Sequence, residues 1–188
     1  AAITGAQTDR MTRDDGWRLL SIGRHVERLG FLASALEAGL DAGSVSGDAG
    51  FEAMLDLFDS SISFHAQFQQ SRETLALVDL LVLNRDNPRS LAWVAHTLRG
   101  RLAKLAGSEP NELSPMSLLV PDPAQWDLEQ LCTAVAAPHV AGEPDAEPTL
   151  PGLLAVLEQC MDAARDVSEH ISAAYFTHSG ADEQSVGA

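Results

Sequence analysis

The chain has 188 residues, 45% hydrophobic and 21% charged, and its 27 acidic against 12 basic residues give a formal charge of −15. A polypeptide of this size buries about 70% of the surface its unfolded form exposes, which excludes disorder as the main state and removes the need for disulfide or metal staples. The acidic excess argues against nucleic acid or an anionic membrane as main partner, because binding to either rests on clustered Lys and Arg.

Residues 1–10 are polar, begin without Met and are expected to be a linker or N-terminal arm of a piece of a longer protein. They lack the basic head and apolar run of a secretory signal. From Thr12 to Leu40, the residues Leu19, Ile22, Val26, Leu29, Ala33, Leu36 and Leu40 recur at spacings of three and four, which predicts a helix with Thr12 or Asp14 as N-cap. A second helix is expected over Phe51–Gln70, with Phe51, Leu55, Phe58, Ile62, His65 and Phe68 on its inner stripe. Glu73–Leu83 is apolar nearly all round and should be buried centrally. Asn87 followed by Pro88 reads as an N-cap with proline in the first helical position, opening a helix through Leu91, Ala95, Leu98, Leu102 and Leu105.

The proline-broken stretch after Gly107 leaves room for one helical turn before a helix expected from Asp122 to Ala136. Residues 136–152 have the composition of an exposed loop. A last long helix is predicted from Leu150 to Phe176, with a core stripe of Leu153, Leu157, Cys160, Ala164, Val167, Ile171 and Ala174. Residues 179–188 are expected to be a disordered tail. No segment alternates with a period of two, so the predicted fold is all-α: an antiparallel bundle of four to six helices within one domain, residues 11–178.

Chemistry is sparse in this pattern. On the first helix, Trp17, Leu20, Arg24, Glu27 and Phe31 form a second stripe, and Arg24 and Glu27 interrupt its apolar character, with Arg28 one turn after Arg24. Two readings stay open. Either these charges form an ion-pair network that locks two helices, or an arginine presents its guanidinium fork to a carboxylate or phosphate while Glu27 orients it. A second candidate is the start of the helix at Asn87-Pro88, where capping leaves Arg89 unexplained and an anion could sit.

Asp56, Asp59 and His65 share a helix, but no Glu-x-x-His occurs anywhere, so a ferritin-like di-iron bundle is rejected. The six histidines are scattered, and His25, His65 and His96 are expected to be packing residues; no metal site is signalled. Ser60, Ser61 and Ser63 lack the strand-turn-helix elbow of a hydrolase nucleophile, and phosphate-loop and dinucleotide fingerprints are absent. Asp162, Asp166 and Glu169 read as a solvated acidic ridge. Cys132 and Cys160 form no CxxC pair, which favours a cytoplasmic location.

The segments MTRDDGWRLLSIGRHVERLG, DSSISFHAQF, NRDNPRSLAWVAHTL and EHISAAYFTHS, taken in order, resemble the bacterial alpha-E family, an all-helical domain named for a Glu-Arg motif matched here by Glu27 and Arg28. The resemblance touches most of Met11 to His178 and is weak between Gly107 and Pro151. It implies a longer domain with an earlier Glu-Arg helix, of which this chain is the C-terminal part. It further implies an association, in cis or in trans, with circularly permuted ATP-grasp proteins in a peptide-ligation or peptide-modification system. ATP and magnesium would then bind the ATP-grasp partner, with no cofactor in this chain.

Carried over by position, Arg24, Glu27 and Arg28 fall in the name-giving motif, Asp59 opens the second block and Arg89 lies in the third. Phe64 and His65 depart from the Tyr and Arg usual in the second block. The implied function is an accessory bundle that docks on the ligase and helps hold a peptide or amine acceptor, with Arg24, Arg28 and Arg89 on its carboxylate. The alternatives are a stand-alone enzyme with a polar pocket between helices, and a purely structural oligomerisation module.

Overall fold

The computed structural model describes residues 15–43, 45, 47–69, 73–109, 112–136 and 148–176. The expected 1–10 arm, the Thr12 or Asp14 cap, most of the 136–152 loop and the 179–188 tail lie outside them. Two long helices form the spine: α1 (Asp15–Asp41) and α7 (Pro151–Tyr175). Between them in sequence come α2 (Asp48–Leu57), α3 (Ser61–Phe68), α4 (Thr74–Val78), α5 (Leu91–Leu105) and the single turn α6 (Leu128–Leu131). Among the described residues there is no strand, only one antiparallel bridge between Val135 and Thr149. The architecture is an all-α bundle.

Helix α1 packs on α7 along one side and on α5 along another. Both pairings are antiparallel. Gly16 and Leu19 share a groove with Ser172 and Phe176, whereas Gly30 lies against Ala164. Likewise Trp17 lies by Arg101, and His25 by Trp93 further down the pair. The stripe predicted for α7 is buried from Leu153 through Ile171, including Cys160, while Ala174 is exposed where the helix runs past the core. Burial pushes the Cys160 thiol up to about 12 and raises that of Cys132, so both stay protonated at neutral pH, and both are free.

The predicted Phe51–Gln70 helix is two helices. Phe58 closes α2, Asp59 turns left-handed at φ 49°, and Ser60 opens α3. The break resets the helical phase, so Ile62, expected inside, is 88% exposed, and His65 is exposed with it. Phe64 takes their place in the core, edge-on to Phe51 with ring centres 5.3 Å apart. The departure from the family pattern at Phe64 is thus a packing residue, while His65 at the surface lies 3.6 Å from Glu52.

Helix α4 is buried at Ala76, Leu77 and Val78, while Leu75 is exposed against expectation, and it runs into a π-helical turn, Asp79–Leu83, closed by a bond from the Asn84 amide to the Asp79 carbonyl. The expected Asn87 cap is displaced by three residues. Ser90 is the N-cap of α5, its hydroxyl accepting the Trp93 amide at 3.1 Å, and Pro88 lies in the preceding turn. The expected Asp122–Ala136 helix is also replaced by shorter pieces. Asp122 caps a 3-10 turn, Pro123–Gln125, and Asp127 caps α6; each Asp side chain captures a nearby amide and restarts the chain. An earlier 3-10 turn, Pro115–Leu119, opens on a Ser114/Ser117 capping box. Arg99 and Arg85 fasten this region by donating to the carbonyls of Val120 and Pro123.

Candidate functional site

The turn from Asn84 to Ser90 is built from side-chain capture of backbone. The Asn84 side chain accepts the amides of Asp86 and Asn87, and Ser90 donates to the Asn84 carbonyl at 2.5 Å. Asn87 is the hub: its Oδ1 accepts the Arg89 amide, and its Nδ2 donates to the Ser60 hydroxyl and to the Leu80 carbonyl. This buried residue therefore ties the α2–α3 break to the start of α5, and the tie sets Asp59 beside Arg89. Their side chains meet at 2.5 Å, with Asp59 largely exposed. An exposed pair of this kind contributes little stability, so its interest lies in placement.

Arg28 reaches the same corner from α1. Its pKa is lowered by burial and by the Arg89 guanidinium, with Asp59 pulling the other way, which places the three groups within electrostatic reach of one another. Arg24, one turn earlier, lies with Arg28 on the side of α1 that faces α5. Glu27 does not join them. It lines an apolar groove of about 810 Å³ between α1 and α7, with Leu19, Val26, Gly30 and Ile171. The second stripe of α1 is therefore divided: Arg24 and Arg28 face α5, Glu27 faces α7, and Leu20 and Phe31 are exposed at 38% and 53%. Two adjacent residues of one helix point about 100° apart, and the Glu-Arg pair straddles the ridge between two clefts.

Along the α5 side lies a smaller cavity of about 350 Å³, lined by Trp17, Ser21, Arg24, His25, Arg28, Pro88, Trp93 and Arg101. Arg101 enters from α5, stacks its guanidinium over Trp17 at 5.7 Å and donates to the Ser21 hydroxyl. Burial lowers its pKa. Its Nε is buried and has no acceptor among the described residues. His25 Nδ1 donates to the Ser21 carbonyl at 2.7 Å, and the ring stacks on Trp93. Burial lowers its pKa first, and Arg101, Arg28 and Arg24 lower it further. The neutral imidazole is left with Nε2 as an acceptor. No carboxylate lines the cavity among the described residues. Among the same residues no cluster of His, Cys, Asp or Glu could hold a metal ion.

Four residues of this site, Ser21, His25, Trp93 and Arg101, fall outside the set that the sequence singles out. Ser21 and His25 sit one turn apart, between Trp17 and Arg28, and that spacing is visible in the chain. What the chain does not show is that Trp93 and Arg101, two turns apart on α5, face this side of α1.

A sequence model of the Alpha-E family, described as a predicted alpha-helical domain with a conserved ER motif, matches residues 1–176. Uncharacterized proteins of Mycobacterium tuberculosis H37Rv and Mycobacterium bovis are each 30% identical to this chain over 108 residues. The match covers 56% of the chain and 12% of the length of each relative. No solved structure matches.

Proposed function

The chain belongs to the Alpha-E family, and from that premise we propose that it is an accessory helical domain of a bacterial ATP-grasp peptide-ligation or peptide-modification system. In this reading it docks on the ligase and holds the carboxylate of a peptide or amine acceptor, and ATP and magnesium stay with the ligase. The observation that supports it is the Arg89–Asp59 pair, held within electrostatic reach of Arg28 of the Glu-Arg motif although both residues lie far off in sequence. Asp59 keeps Arg89 directed toward this corner, and the two guanidiniums present forked donors to an oxyanion. Glu27 takes no part in holding that anion, since it faces the α7 groove.

The domain supplies orientation: bond making belongs to the ligase, where an acyl phosphate forms and is attacked by the acceptor amine. Arg28→Ala, assayed with a circularly permuted ATP-grasp protein, should lower turnover about tenfold or more, the worth of a charge-assisted hydrogen bond. Its Tm should move by no more than about 2 °C, as expected of an exposed position. A collapse of Tm with unchanged turnover per folded molecule would instead make Arg28 a bundle lock.

A further inference from the structure

The cavity between α1 and α5 has features that the Arg28–Arg89 corner does not explain. Three guanidiniums, Arg24, Arg28 and Arg101, converge on it in a protein of formal charge −15. Its walls include the indoles of Trp17 and Trp93 and the imidazole of His25. Arg101 is anchored at the cavity by the Ser21 hydroxyl and by stacking over Trp17, so its guanidinium is held in place before any ligand arrives. Concentrated positive charge, an anchored guanidinium and flat aromatic walls define a ligand: an oxyanion on a small organic body that packs against aromatic faces.

We propose that this cavity binds a small oxyanion, a carboxylate or a phosphate group carried by an apolar or aromatic ligand, and that its binding draws a proton onto His25. The proposal deepens the carboxylate-holding role proposed above by naming the pocket and the ligand chemistry, but it concerns the chain alone. The charged groups that face His25 are Arg24 and Arg28 from α1 and Arg101 from α5, with Arg89 and Asp59 beyond Arg28. All three of the nearest repel a proton on the imidazole. An anion seated among them cancels that repulsion and gives the Nε2–H a partner, so the proton gained on binding goes to Nε2 from solvent. By linkage, the protonated form must then bind the anion more tightly, and affinity rises as pH falls through the His25 midpoint of the complex.

The test is an NMR titration of the full chain with inorganic phosphate, acetate, N-acetylphenylalanine and its uncharged amide, reading the Trp93 indole and His25 imidazole signals across pH 5 to 8. The proposal expects saturable shifts at both residues with at least one anion, none with the amide, and a higher His25 midpoint in the complex. Comparison of phosphate with the carboxylates identifies which oxyanion the site prefers. Arg28→Gln, at an exposed position, should weaken binding about tenfold, and His25→Gln should remove the gain in affinity at low pH, leaving a weaker, pH-independent binding. Equal binding of the amide, or no shift with any anion, would overturn the pocket. Anion binding that leaves the His25 midpoint in place would overturn the proton coupling. If the pocket fails while Arg28→Ala still impairs the ligase, the accessory role stands without it.

Discussion

The two sides of α1 are held by different physics. Toward α7 the contact is apolar and close: a Cβ on Gly30 would come within 3.2 Å of the Ala164 side chain, and Leu157, Cys160 and Val167 are fully buried. Toward α5 and the 84–90 turn, arginines, a histidine and two indoles gather around the cavity, with Pro88 at its edge. The first side closes at Gly30, opens into the apolar groove beside Glu27, and can be repacked at its buried positions by residues of like volume. The second has polar groups whose partners lie in distant segments, so it constrains where side chains point more than how tightly the helices hold. Both neighbours of α1 bury apolar residues in the common core, Leu91, Val94, Ala95 and Leu98 of α5 among them, and the polar cluster is added on the α5 side.

Substitutions break that contrast in graded ways. Leu157→Ala on the apolar side should cost about 2–5 kcal/mol in a urea unfolding experiment, through lost burial and the cavity left behind. Its folded fraction should nevertheless keep the arginine corner intact. Asn87→Ala should cost about 1–3 kcal/mol, since it removes the buried bond to the Leu80 carbonyl and the tie to Ser60, whose hydroxyl keeps only its bond to the Phe58 carbonyl. It should also release Asp59 from Arg89, so it is expected to lower ligase support out of proportion to its stability loss. Ser90→Ala removes a helix cap and should cost about 1 kcal/mol with a smaller effect on the corner.

The pH response of the α5 side is the mildest effect. His25 has a lowered pKa in the folded chain, so above the unfolded value near 6.5 both states are neutral there and its contribution is fully present. As pH falls below that value, the unfolded chain takes up the proton first and stability drops until the folded midpoint is reached. His25→Gln should flatten this part of the pH–stability curve. Arg28→Gln should raise the His25 midpoint, because it removes one of the three repelling charges.

Much of the bundle is legible in the sequence. The long helices show it best: the 3.6-residue stripes of α1 and α7 appear directly as burial, and the apolar run through α4 is buried from Ala76 through Val78 but leaves Leu75 exposed. The expected elements fail where short polar side chains take backbone bonds for themselves. Asp59 and Ser60 split one predicted helix, Ser90 displaces Asn87 as cap, and Asp122 and Asp127 cut another helix into turns. Local hydrogen bonding outweighs periodicity at each of these points. Of the site, Arg24, Glu27, Arg28, Asp59 and Arg89 are nameable from the chain, but their grouping is not. Whether Glu27 or His25 stands with the arginines depends on which neighbour packs on each side of α1, and that is a tertiary fact. Arg101 carries no local signal, since its neighbours Trp17 and Ser21 are some 80 positions away.

The proposed role, service to an ATP-grasp ligase through the arginine corner, is tested most directly by calorimetric titration of the chain with a circularly permuted ATP-grasp protein, at low and high salt. Wild type and an Arg28→Ala/Arg89→Ala double variant should be compared, with the fold of each checked by circular dichroism. The account predicts micromolar or tighter binding by the wild type, and turnover of acceptor in the mixture that the double variant supports poorly. No binding by the folded wild-type chain, or a double variant that supports the ligase as well as wild type, would contradict it.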